Sequence, residues 1–118
     1  MQYKLGVAEA SFAALIWDNE PLTSGQLVKL CEEKLSWKKS TTYTVLRRLC
    51  QRGIFRNEGG LVTSLLGRDE LAALQSEEFV EQAFGGSLPK FLTAFTSRNK
   101  LSGEEIEQLQ RLIDENRG

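Results

Sequence analysis

Residues 37–65 read WKKSTTYTVLRRLCQRGIFRNEGGLVTSL, and the fold turns on them. Thr42, Val45, Leu46 and Leu49 recur at helical spacing, which predicts a helix capped by Ser40 or Thr41, running to about Arg52 with that face inward. Gly53 suits the position just past a helix, where the chain turns left-handed. Two β-prone runs, 54–58 and 61–65, flank Gly59-Gly60, the signature of a hairpin. The outer side of the helix carries Ser40, Thr41, Tyr43, Thr44, Arg47 and Gln51, with Arg48 at its margin.

The same stretch concentrates positive charge. Lys34, Lys38, Lys39, Arg47, Arg48, Arg52 and Arg56 lie between Lys34 and Asn57 with no acid among them. That is +7 in a chain of formal net charge −1, so the rest sums to −8. A basic helix followed by a basic hairpin on an acidic body is the electrostatic form of a nucleic-acid binder.

Two helices are expected upstream. Segment 6–19 has an apolar face of Ala8, Phe12, Leu15 and Ile16, with Gly6 as N-cap and Glu9 in the first turn, where the helix dipole favours an acid. Thr23 and Gln26 form a capping box, and Leu22 and Leu27 the hydrophobic staple around it. The stripe Leu27, Leu30, Cys31, Leu35 then faces the core, and this helix ends near Leu35-Ser36. Trp17 and Trp37 are placed to seal the junction of the helices. Three helices and then a hairpin is the order of a winged helix-turn-helix.

After Gly67 the chain turns acidic and helical. Residues 68–84 carry apolar Leu71, Leu74, Phe79, Val80 and Phe84, and Gly85-Gly86 ends them. A shorter helix, about 87–97, presents Leu88, Phe91, Leu92 and Phe95. Ser102 with Glu105, and Leu101 with Ile106, open a last helix whose stripe is Ile106, Leu109, Leu112 and Ile113. The expected class is therefore mainly α, a winged helix-turn-helix over 1–66 followed by a helical dimerisation region over 67–118. Such helices do not bury their own stripes singly. They pack within the chain or against a second copy, and the small core favours a homodimer. A two-fold dimer spaces its reading helices about 34 Å apart, which matches an inverted repeat.

Composition excludes much else. Histidine is absent, so no Ser-His-Asp or Cys-His pair exists, and no catalytic residue is assigned. No phosphate-cradling glycine motif occurs, Cys31 and Cys50 lack metal-binding spacing, and no metal or cofactor is expected. The isolated cysteines fit packing roles in a reducing cytoplasm. No apolar run approaches the ~18 residues a membrane span requires, so no membrane insertion is expected.

On a duplex, Ser40, Thr41, Tyr43 and Thr44 suit the floor of the major groove, and Lys38, Lys39, Arg47 and Arg48 its phosphates. Arg56 and Asn57, on the hairpin, reach backbone or minor groove. The alternatives are a solvated amphipathic helix, or a winged-helix module that uses the same surface on a protein partner without specific DNA binding.

These residues also carry a resemblance. The run Trp37-Lys38-Lys39-Ser40-Thr41-Thr42-Tyr43-Thr44-Val45-Leu46-Arg47-Arg48-Leu49, then Arg52-Gly53-Ile54, is similar to the core motif of the penicillinase-repressor family (BlaI, MecI and CopY types). Ala8-Glu9 with Ile16-Trp17, and Phe84-Gly85-Gly86-Ser87 with Leu101 through Ile113, extend the likeness over nearly the whole chain. The resemblance implies a homodimeric bacterial repressor on a two-fold operator, often of TACA/TGTA half-sites. It also implies a membrane sensor-protease partner that triggers cleavage at an Asn-Phe bond. The matching bond here is Ala94-Phe95, and the paired-cysteine copper motif of the CopY type is missing. Ala10 stands where the family has an aromatic, and the hairpin lacks the family's frequent tyrosines, as in a divergent member.

Overall fold

The structure, a computed structural model, describes residues 2–118. Its first helix, α1 (Val7–Asn19), begins where Glu9 folds back to accept from the Gly6 amide at 3.1 Å. Phe12, Ala13 and Ile16 are fully buried. Ala8, expected on that face, is exposed, and Ala13 takes its place. The segment is rich in alanine, so hydrophobic period alone does not fix which small side chain turns inward.

A two-residue strand, β1 (Leu22–Thr23), precedes α2 (Ser24–Leu35). The capping box forms as expected: Gln26 N donates to Thr23 Oγ1 at 3.1 Å, and Thr23 N to Gln26 Oε1 at 2.8 Å. Leu22 and Leu27 are both buried. Ser36 ends α2 in the left-handed conformation at φ 57. Trp37 then stacks on Phe12, ring centroids 5.5 Å apart.

That stack fixes the start of α3 (Lys39–Gln51). The cap is Lys38, ahead of the expected Ser40 or Thr41, and its carbonyl accepts from Thr42 N at 3.1 Å and Thr42 Oγ1 at 3.3 Å. The packing of Trp37 outweighs the local preference for a hydroxyl cap, worth only about 1 kcal/mol. Thr42, Val45, Leu46 and Leu49 are buried, as expected. Gly53, at φ 78, closes the helix.

Strands β2 (Phe55–Glu58) and β3 (Leu61–Ser64) form the hairpin, with Phe55 opposite Ser64 and Glu58 opposite Leu61. Gly59 and Gly60 have φ of 57 and 87, the pair of positive values that a tight hairpin turn of this twist demands. β1 adds to the far edge of β3, giving an antiparallel sheet of order β1-β3-β2. Ile54, Phe55 and Val62 carry its inner face into the core.

The long helix α4 (Arg68–Phe84) follows, then α5 (Leu88–Thr96) and α6 (Gly103–Glu115). The chain divides into two compact units, Met1–Glu78 and Phe79–Gly118, and the division falls inside α4. Leu71 is 1% exposed in the core of the first unit, and Gln75 and Glu78 bond to its N-terminal segment, which explains the position. In the second unit, Phe79, Phe84, Phe91 and Phe95 meet in a chain of ring contacts with centroids 5.5 to 6.2 Å apart. α5 is capped by Ser87, and α6 by Ser102 with Glu105 returning to the Ser102 amide at 2.9 Å. No helix among the described residues is long and apolar enough to cross a membrane.

Candidate nucleic-acid interface

Because α3 begins at Lys39, Ser40 and Thr41 lie inside its first turn with exposed side chains. Thr44 is also exposed, and its hydroxyl donates to the Ser40 carbonyl at 2.9 Å. The hydroxyl proton of Thr44 is thus spent on the helix, and a methyl group and oxygen lone pairs face outward. Lys38, Lys39 and Arg47 are exposed as well. Among the described residues, none of these three cations has a carboxylate within 4.0 Å. Their positive field is uncompensated at short range, the condition under which a phosphate backbone is attracted.

The wing stands across a groove from this helix. A cavity of about 260 Å³ is lined by Tyr43, Leu46, Arg47, Cys50 and Asn57, which brings Arg47 and Asn57 to one groove. Arg56 and Asn57 are exposed at the hairpin, Arg56 with a loose contact of 3.8 Å to Glu58. The hairpin is fastened to the helix-turn-helix by Ser24, whose amide donates to the Gly60 carbonyl at 2.7 Å.

Two expected contributors, Tyr43 and Arg48, have partners within the fold, as does the neighbouring Arg52. Tyr43 is half-buried, and its phenol donates to Ser24 Oγ at 3.1 Å, so it braces α3 against the start of α2. Arg48 is exposed but leans on Glu9, Nη1 to Oε2 3.4 Å. Arg52 lies 3.7 Å from the same carboxylate oxygen. It also donates to the carbonyls of Gln2 and Lys4, from Nε at 2.9 Å to the former and from Nη2 at 2.6 Å to the latter. Arg52 therefore tethers the segment Gln2–Lys4 to the end of α3. The amides of Gln2 and Tyr3 donate to the Glu78 carboxylate at 2.8 Å each, and Gln75 donates to the Tyr3 carbonyl at 2.9 Å. Neither Glu9 nor Ser24 was legible as part of this surface, since each acts through a partner distant in sequence.

The two thiols are shielded from solvent to different degrees. Cys31 is buried and Cys50 half-buried. Desolvation raises both pKa values above 9.0, against smaller opposing hydrogen bonds from Thr42 and the Asn57 backbone. Both shifts favour the thiol form, and both side chains pack in or against the core, as expected.

The second unit presents a different surface. No residue of α5 or α6 is buried. Leu88, Phe95, Ile106, Leu112 and Ile113 are each about half exposed, and Phe91, Leu92 and Leu109 partly so. A mainly apolar groove of about 470 Å³ is lined by Phe91, Leu92, Phe95, Leu101, Leu109 and Leu112, with Glu105 and Gln108 also on its wall. Ala94 and Phe95 are exposed within α5.

Comparison with known proteins agrees with this architecture. The chain is 25% identical over 114 residues to the penicillinase repressor of Bacillus licheniformis, covering 93% of this chain and 89% of that protein. It is 22% identical over 116 residues to the methicillin resistance regulatory protein MecI of Staphylococcus aureus, covering 95% and 94%. An uncharacterised 16.5 kDa protein of Latilactobacillus sakei is 25% identical over 114 residues, 93% of this chain and 78% of its own length. The family profile described as penicillinase repressor matches residues 5–115, and with a mainly helical fold, a small antiparallel sheet and an exposed basic helix, the chain belongs to the penicillinase repressor family, a family of transcriptional regulators and not of enzymes.

Proposed function

We propose that this protein is a transcriptional repressor that binds an inverted-repeat operator in double-stranded DNA as a homodimer and thereby occludes a promoter. The unit Met1–Glu78 holds the duplex and the unit Phe79–Gly118 the dimer contact. Ser40, Thr41 and Thr44 face base edges from the N-terminal half of α3, the part of a recognition helix that reaches deepest into the major groove. Lys38, Lys39, Arg47 and Arg56 take phosphates, with Asn57 beside them on the wing.

The observation that carries this reading is the coincidence, along α3 and its N-cap, of three exposed hydroxyl side chains with three exposed cations that have no acidic partner within 4.0 Å among the described residues. The dimer rests on the second unit, where two amphipathic helices keep no residue fully from water. A second copy covering the groove removes that exposed apolar surface.

A gel-shift assay on the promoter upstream of the gene tests the DNA contact. Arg47→Ala or Thr44→Ala weakens operator binding at least tenfold while the far-UV circular dichroism stays that of the parent. Unchanged affinity in both variants refutes α3 as the reading helix.

A further inference from the structure

Glu9 stands at the edge of the reading surface and has no part in the function proposed above. Its carboxylate is held from both sides. Oε1 accepts the Gly6 amide at 3.1 Å, and the first turn of α1 favours a negative charge there. Oε2 faces two guanidinium groups, Arg48 at 3.4 Å and Arg52 at 3.7 Å. Arg52 is committed elsewhere, bonded to the carbonyls of Gln2 and Lys4 and only 22% exposed. Arg48 is different: its side chain is 54% exposed, and it lies one helical turn beyond Thr44.

From this geometry we infer that Glu9 is a specificity-determining residue that withholds Arg48 from the DNA backbone and so restrains sequence-independent binding. The inference rests on α3 being the DNA-reading helix. A carboxylate fixed beside a guanidinium occupies the donors that a phosphate oxygen would use, and it repels the phosphate itself. Glu9, 18% exposed, has structural partners in Gly6 and Arg52, but its contact with the 54% exposed Arg48 adds little stability, so stability alone does not account for that contact. A repressor also gains from the restraint. Its operator competes with a vast excess of other duplex, so the ratio of specific to non-specific affinity decides occupancy. Each phosphate contact strengthens both kinds of binding, and one fewer at the margin of the reading face lowers the non-specific background.

The test is a salt titration of binding to a fluorescein-labelled duplex of random sequence, read by anisotropy, with the full chain. Glu9→Gln keeps an acceptor for the Gly6 amide and removes the charge. It steepens the log–log salt slope by about 0.9 per bound protomer, so about 3.5-fold more affinity is lost between about 50 and 200 mM salt. Adding Arg48→Ala to Glu9→Gln restores the parental slope. Arg48→Ala alone leaves the slope unchanged, and this arm holds even if Glu9→Gln fails to fold. A slope unaltered in folded Glu9→Gln, a steepening that survives Arg48→Ala, or a loss of about 0.9 in Arg48→Ala alone overturns the inference while leaving the repressor reading intact. Parental protein that binds no duplex with any salt dependence removes both.

Discussion

Raising the salt concentration loosens the complex by an amount that follows from the exposed cations. Lys38, Lys39 and Arg47 have no acidic partner within 4.0 Å among the described residues, and Arg56 has only a long contact to an exposed Glu58. Arg48 and Arg52 are set aside because Glu9 and backbone carbonyls engage them. Four phosphates per protomer are then neutralised, about eight in the dimer, and each contributes about 0.9 to the log–log slope. The expected slope is about −7 for the dimer, which between about 50 and 200 mM salt lowers affinity on the order of 10⁴-fold. A monomer binding through one α3 gives about half that slope. Anisotropy titrations at four or more salt concentrations measure it directly. A slope shallower than about −2 means that fewer than three phosphates are met in total, and the assignment of this face to the duplex then fails. Arg47→Ala flattens the slope of the dimer by about 1.8, because each protomer then neutralises one phosphate fewer.

Other expectations follow from individual side chains. Leu71→Ala removes a side chain that is 1% exposed in the first unit, and it lowers unfolding free energy in a denaturant titration by about 2–5 kcal/mol; a loss below about 1 kcal/mol would mean that the first turns of α4 are not part of that core. Tyr43→Phe deletes the bond to Ser24 and costs about 1 kcal/mol of stability. It leaves discrimination between operator and random duplex unchanged, whereas a base-reading tyrosine would lose it. Ile106→Asp or Leu109→Asp gives a monomer by light scattering with weakened operator binding, and a persistent dimer would move the interface elsewhere. Burial raises the pKa of Cys50 above 9.0, so its thiolate is scarcer than in an exposed cysteine at every pH below that value. Iodoacetamide therefore modifies Cys50 in native protein at pH 7 to 8 more slowly than in urea-unfolded protein, and an equal or faster native rate contradicts the burial.

What the sequence disclosed was mostly short-range. The boxes Thr23/Gln26 and Ser102/Glu105 are contacts over three residues, and a side chain that bonds its own helix end does so whatever surrounds it. The buried stripe of α3 and the Gly59-Gly60 turn are likewise local and formed as read. The misreadings have distant causes. The start of α3 depends on Trp37 meeting Phe12, and β1 exists only because Leu22 and Thr23 find Val62 and Leu61. Two residues of β-prone character carry no periodicity to detect. In the candidate site, the exposed hydroxyls and Arg47 were legible from helical phase. The diversion of Arg48 and Arg52 was not, since Glu9 lies some forty residues away in the chain. Tyr43 showed the same limit: its phase placed it on the outer face, whereas its side chain is half-buried and bonded to Ser24.

The fastening of Gln2 and Tyr3 to Gln75 and Glu78 bears on the order in which the protein is made. Gln2 and Tyr3 are made before the wing, and the side chains that hold them at Gln75 and Glu78 are translated only after it is complete. Leu71, needed to close the core, arrives just as late. A nascent chain stalled before α4 thus carries α3 with the segment Gln2–Lys4 held through Arg52 alone, and native structure in the first unit is delayed until α4 emerges from the exit tunnel.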